Sequence, residues 1–283
     1  MPRSTTFYMG TPGTEPLFPL YDIIDPDRDD VELRGMRLWG DYSVGFVKDC
    51  NWLQHYENIV DPWHLLMLHQ MISGDQFEGA LMQGAPQIGF ENTPLGVRYR
   101  VVKDLPNGNR FVRHAECVVP NAFLIPNIRE TGTTQKRKER CTELSWAVPV
   151  DNEHVTGLSI VAWPLEDGEP KKGWRPGTDT VQEIRPGSVL SRTYEERQRK
   201  PDDLEAQEGQ RVIAVHALEN LATSDTGIAM LRRTLREQIK RVSDGLDPLN
   251  VIRHERLNRT IPTNAWNAIV SPTEASMLQG EEA

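Results

Sequence analysis

The feature that most restricts how this chain can fold is a run of β-like segments in its middle. GVRYRVVKD, NRFVRHAECVV, NAFLI, CTELSWAVPV and HVTGLSIVAW follow one another between Gly96 and Trp163, separated by short polar connections. The first two flank LPNGN, and Asn107-Gly108 is a strong hairpin signal because both types tolerate the positive φ that tight turns require. Hairpins joined by short links imply a mostly antiparallel sheet. Such a sheet needs a cover for its apolar face. Ile228, Leu231, Leu235, Ile239 and Val242 recur every three or four residues and supply one stripe of about four helical turns. Thr223 and Ser224 are candidate N-caps and Gly245 is a candidate stop. The expectation is an α+β fold in which one long helix covers a sheet.

The remaining segments are less regular. The first ~30 residues are rich in Pro and Asp and read as an extended arm. MRLWGDYSVGFV, from Met36, reads as short strands with a turn near Asp41. Asn51 to about Met71 has helical spacing, interrupted at Pro62. Glu166 to Gln210 is polar and lacks alternation, so it reads as a long irregular loop shaping an entrance. This divides the chain into an arm (1–17), a main domain (18–255) and a C-terminal tail (256–283).

Composition excludes several classes of function. A net charge of -9 and pI near 5.4 argue against sequence-independent nucleic-acid binding. No apolar run approaches the ~20 residues that span a bilayer, and MPRSTTFYMGTPG has no apolar signal core. Cys50, Cys117 and Cys141 are odd in number and form no CxxC pair, which suits buried thiols in a reducing cytoplasm.

Chemistry concentrates in ENIVDPWHLLMLH, Glu57 to His69. His64 and His69 are five residues apart, a step that turns them about 140° from alignment on a regular helix. They converge on one ion only where the helix ends or is distorted; otherwise they are ordinary polar residues. Asp61 before Pro62 is a natural N-cap. Glu57 reads as a solvated residue on the preceding turn, and His55 as a surface residue or a supporting one. Asp225 is either a distant ligand or an acid complementing the dipole of the long helix.

Read together, two segments carry a resemblance. CNWLQHYENIVDPWHLLMLH places Asn51-Trp52, Glu57, Asp61, His64 and His69 in one ungapped pattern. It resembles the iron-binding segment of Rieske-type non-haem iron ring-hydroxylating oxygenases. PDDLEAQEGQRVIAVHALENLATSDTGIAMLRRTLREQI, Pro201–Ile239, resembles the end of the catalytic domain in the phthalate-dioxygenase-like branch of that family. The resemblance covers roughly residues 18 to 250. It implies a helix-grip fold, an Fe(II) held by His64, His69 and Asp225, and Asp61 at the position that bridges toward a Rieske cluster. It also implies dioxygen and an aromatic small molecule as substrates, with an Arg in the cavity if that molecule is an acid, and a ring of three subunits.

One departure matters. A Rieske [2Fe-2S] centre is written Cys-x-His followed by Cys-x-x-His, and neither pair occurs here. The resemblance is to a catalytic domain alone, with electrons expected from a separate Rieske protein and an NAD(P)H-dependent reductase.

Overall fold

The computed structural model describes residues 11–37, 47–68, 84–127, 133–174, 193–199, 201 and 203–280. Among these residues eleven strands join one antiparallel sheet. They are β1 (Val31–Arg37), β2 (Val47–Lys48), β3 (Gln87–Asn92), β4 (Gly96–Asp104), β5 (Arg110–Val118), β6 (Ala122–Leu124), β7 (Lys136–Arg140), β8 (Glu143–Pro149), β9 (Val155–Glu166), β10 (Glu169–Pro170) and β11 (Trp266–Val270). The helices are α1 (Trp52–Asn58), α2 (Pro62–Met67), α3 (Tyr194–Arg199), α4 (Asp203–Glu208), α5 (Thr226–Ser243) and α6 (Pro272–Gly280).

The expected hairpin is the centre of the sheet. β4 and β5 pair from Gly96↔Val118 to Asp104↔Arg110. Their link is the five-residue loop Leu105–Asn109, closed by Leu105 N to Asn109 O at 2.8 Å and Gly108 N to Leu105 O at 2.9 Å. Gly108 has φ +84°, a conformation that a side chain would strain. On its other edge β5 pairs with β6 near Val118 and with β11 near Arg110, and β8, β9 and β1 follow β6.

The long helix covers this sheet through β3 and β4, as an α+β fold requires. Leu231 is fully buried with Cys50, Tyr56, Val60, Val97, Cys117 and Phe123, and Ile228 and Leu235 pack at the margin of that cluster. The apolar stripe is buried only through its first half, since Ile239 is 66% and Val242 56% exposed. Gly245, at φ +76°, follows the helix end as expected of a glycine stop.

Two segments are more regular than expected. The described part of 256–283, expected as a tail, carries a strand and a helix. WNAIV forms β11, every residue of which is buried, because it pairs with β5 on one edge and β7 on the other. An unbroken short apolar run of this kind fits a strand with no solvated face. Asn267 helps to satisfy the buried Arg113 of β5, whose guanidinium donates to Asn267 Oδ1 (3.1 Å), Tyr99 Oη (3.1 Å) and the carbonyls of Pro126 and Asn127. The stretch from Glu166 to Gln210 is also more ordered than a loop, carrying β10, α3 and α4 among its described residues. β7, the wholly charged KRKER, pairs only with β11 among the described strands, and charge is a common protection for such an edge.

β11 also fixes a histidine. His114 stacks on Trp266 at 4.3 Å between centroids, and burial, with Arg98, Arg100 and Lys138 nearby, lowers its pKa to about 3. The folded chain therefore binds this proton more weakly than the unfolded chain. The stability contributed by neutral His114 is complete above about pH 6.5 and is lost as pH falls toward the folded pKa. Urea unfolding of His114→Phe between pH 6.5 and 4 is expected to show an acid slope shallower than that of the unsubstituted protein by about 1.4 kcal/mol per pH unit. Equal slopes would remove His114 as an acid-sensitive group.

Candidate metal centre

The site is assembled from the ends of short helices. Asn51 caps α1 by accepting from Leu53 N at 3.0 Å. The chain turns at Ile59-Val60, and Asp61 then caps α2 by accepting from Trp63 N at 3.0 Å, with Pro62 in the first helical position. That agrees with the capping expected of Asp61. His64 follows within the first turn of α2, and its Nδ1 lies against the Asp61 carbonyl. A carbonyl only accepts, so Nδ1 carries the proton and donates it. The neutral ring then keeps its lone pair on Nε2.

Nε2 faces a second helix end. It lies 3.3 Å from Asn58 Nδ2 and 3.8 Å from Asp203 Oδ2, at the start of α4. Asn58 Nδ2 also donates to Asp203 Oδ2 at 3.2 Å. Two atoms that share an ion at 2.0–2.2 Å can lie no more than about 4.4 Å apart. His64 Nε2 and Asp203 Oδ2 meet that condition, and an imidazole with a carboxylate suits a divalent transition metal. His69, the other expected histidine ligand, lies outside the described residues. Among the described residues no cluster of three or more His, Cys, Asp or Glu side chains is placed to hold a metal.

Asp225, the carboxylate expected with His64 and His69, stands at the N-terminus of α5. Its Oδ2 accepts from Ala222 N at 2.7 Å in the turn that precedes α5. Asp203, an acid that sequence reasoning left unassigned although it lies within the second resembling segment, also places a carboxylate beside His64. Asp225 is close enough to act on Asp61. Burial raises the Asp61 carboxyl pKa, His64 opposes that rise, and the charge of Asp225 adds to it. Gly227 shows why the start of α5 comes so near: an added Cβ there would lie 2.6 Å from the Val60 carbonyl oxygen.

Two further expectations change. Glu57 is buried, and the Arg232 guanidinium of α5 grips it bidentately at 2.5 and 2.7 Å. His55 is also buried, at 3% exposure, and packs edge-on against Phe123. The cysteines are as expected: free and buried, with burial raising the Cys50 thiol to about 11 and Cys141 to about 12. Thiols so resistant to ionisation are poor nucleophiles and poor ligands.

No protein-family model matches the chain. Among curated proteins it is similar to phenoxybenzoate dioxygenase subunit alpha of Ectopseudomonas oleovorans, 35% identical over 86% of this chain and 57% of that one. It is 30% identical to the tert-butanol monooxygenase / tert-amyl alcohol desaturase oxygenase subunit of Aquincola tertiaricarbonis, over 91% of this chain and 55% of that one. The 5,5'-dehydrodivanillate O-demethylase oxygenase subunit of Sphingobium sp. (strain NBRC 103272 / SYK-6) is 28% identical over 76% of this chain and 48% of its own length. The chain thus spans about half the length of the curated relatives it matches. No helix among the described residues is long and apolar enough to cross a membrane. The chain is a homologue of the oxygenase subunits of Rieske-type non-haem iron systems, matching a part of them of catalytic-domain size.

Proposed function

We propose that the chain is the mononuclear-iron catalytic domain of an oxygenase that hydroxylates or O-demethylates an aromatic compound. The observation that carries this reading is the tie of His64 Nδ1 to the Asp61 carbonyl, which leaves the lone pair of the ring on Nε2. His64, His69 and Asp225 form the ligand set, with the Asp203 carboxylate held beside the His64 ring. Bound there, Fe(II) would supply activation of dioxygen, the chemistry of a 2-His-1-carboxylate site with open positions.

The chain's own residues prepare that site. The Asp61 carbonyl fixes the tautomer and direction of the His64 ring, the usual work of a group behind a metal ligand. Asn58 holds the Asp203 carboxylate beside that ring. Asp61 stands at the bridging position toward an external Rieske [2Fe-2S] centre, which an NAD(P)H-dependent reductase supplies with electrons. A trimer would place that centre on a neighbouring subunit. Two relatives named for phenoxybenzoate and dehydrodivanillate support an aromatic acid or ether as substrate, while the tert-butanol enzyme shows that such subunits also take aliphatic alcohols.

Titration of the metal-free chain with Co(II), followed by visible absorption and calorimetry, tests the ligand set. His64→Ala and Asp225→Asn are expected to weaken binding at least tenfold, and Asp203→Asn less. Wild-type affinity in Asp225→Asn together with loss in Asp203→Asn would move the carboxylate role to Asp203. Oxygen uptake with iron, a Rieske reductase system and an aromatic acid tests turnover. Stoichiometric iron without uptake under any donor would favour a ligand-binding module of the same fold.

A further inference from the structure

One buried guanidinium joins the two parts of the chain that carry His64 and Asp225. Arg232 stands on α5 and donates twice to Glu57 of α1, from Nε at 2.5 Å and Nη2 at 2.7 Å. It donates twice more to Glu219, from Nη1 at 2.5 Å and Nη2 at 3.0 Å. Nη2 is thus shared between the two carboxylates. Glu57 already neutralises Arg232, so a second carboxylate brings like-charge repulsion and further desolvation to the cluster. What it adds is a tie among three segments.

Glu219 holds the segment that leads to Asp225. Val212, Ile213, Val215, Leu218 and Leu221 are each 41–65% exposed, so little apolar packing anchors this stretch. Hydrogen bonds fix its beginning: Asn51 N donates to the Val212 carbonyl at 2.8 Å and Ala214 N to Gln54 Oε1 at 2.9 Å. From Val215 onward the backbone bonds close local turns, Leu218 N to Val215 O, Glu219 N to His216 O and Asp225 N to Ala222 O. Among the described residues, the Glu219 carboxylate alone ties 215–224 by hydrogen bonds to a residue beyond the first turn of α5. Through Arg232 that hold reaches α1, where Glu57 stands four residues before Asp61. The same helix also touches this region at its start, where an added Cβ at Gly227 would lie 2.6 Å from the Val60 carbonyl oxygen. A close approach at the start of α5 and a bridge further along it fix both the distance and the inclination of the helix. The guanidinium suits this task because its donors are planar and fixed in direction.

We propose that Arg232 and Glu219 are positioning residues: the Glu57–Arg232–Glu219 bridge sets the approach of the turn carrying Asp225 to the segment carrying His64. The assignment rests on the reading of His64 and Asp225 as ligands of one ion, and Co(II) binding to the full chain separates the two claims. Glu219→Gln deletes the charge of the partner that is 25% exposed and leaves Glu57 paired with Arg232, so the thermal midpoint of the metal-free protein should move little. Residues that couple two places through such a network change the coupling by about 2- to 30-fold. Co(II) binding is therefore expected to weaken within that range, and its visible spectrum to shift as the ligand geometry relaxes. The paired variant Glu57→Met, Arg232→Met regains much of the stability lost with Arg232 alone, yet is expected to bind Co(II) as weakly as Arg232→Met. A bridge that served stability alone would let binding recover with the midpoint. Wild-type affinity and spectrum in Glu219→Gln and in the paired variant, with Asp225→Asn impaired, would overturn the positioning role and leave the ligand set standing. Wild-type binding in Asp225→Asn would overturn both. If the paired variant does not yield folded protein, Glu219→Gln alone decides the outcome by the same criteria.

Discussion

Replacing Arg232 with Met is expected to destabilise the chain by about 3–5 kcal/mol, the usual cost of removing one partner of a buried ion pair. Arg232 Nε and Nη2 hold Glu57 at 2.5 and 2.7 Å, and Nη1 and Nη2 hold Glu219 at 2.5 and 3.0 Å. The charge-assisted bonds lower the Glu219 carboxyl pKa and raise that of Arg232. Deleting the guanidinium strands the Glu57 carboxylate among buried residues, with a desolvation cost that nothing offsets. Glu219 is more open to solvent and loses less. For a chain of this size the melting midpoint should fall by about 10 °C. The double variant Glu57→Met, Arg232→Met should recover much of that loss, because it leaves no buried charge unpaired. A single variant melting within ~2 °C of the unsubstituted protein would show that the pair does not hold α1 to α5. Since Glu57 lies four residues before Asp61, Co(II) affinity should fall in the single variant as well.

What the sequence revealed and what it hid follow from where each interaction acts. The β4–β5 hairpin was legible because Asn107-Gly108 is a local signal and the pairing runs between neighbours in the chain. The α5 stripe was legible because period 3.6 is local too. Its exposed end was not, since Ile239 and Val242 fit the pattern equally well and only the extent of the sheet decides which positions it buries. β11 was missed for a related reason: five apolar residues identify no partner, and their pairing with β5 crosses more than a hundred positions of sequence. At the candidate metal centre, the capping role of Asp61 was legible because an Asp before a Pro is a local signal. The placement of Asp203 beside His64 was not. Asp203 stands in the polar stretch Glu166 to Gln210, which reads as an irregular loop, and its partners Asn58 and His64 belong to the first half of the chain. The burial of Glu57 was hidden in the same way, because Arg232 is just one basic residue among several on α5.

Gly227→Val is expected to cost about 3 kcal/mol or more, at the upper end of what overpacking costs, and to disturb the site beyond its effect on stability. Helix propensity alone predicts gains here, since Ala is favoured over Gly by about 1 kcal/mol in a helix interior. Space predicts the opposite. A Cβ at Gly227 would lie 2.5 Å from Phe90 Cε1 and 2.6 Å from the Val60 carbonyl oxygen. The Phe90 ring can yield by turning, but the Val60 carbonyl is backbone, and it directly precedes Asp61. Relief therefore moves either the start of α5 or the turn that carries Asp61 and, through the Asp61 carbonyl, the His64 ring. Gly227→Ala decides the sign: it should destabilise despite its better propensity, and Val should do so more strongly. Co(II) affinity should fall in the same order, and differential scanning calorimetry gives the stability change independently. If Gly227→Ala raises the melting midpoint and leaves Co(II) binding intact, the contact between α5 and Val60 is loose, and the closeness of the helix plays no part in aligning the site.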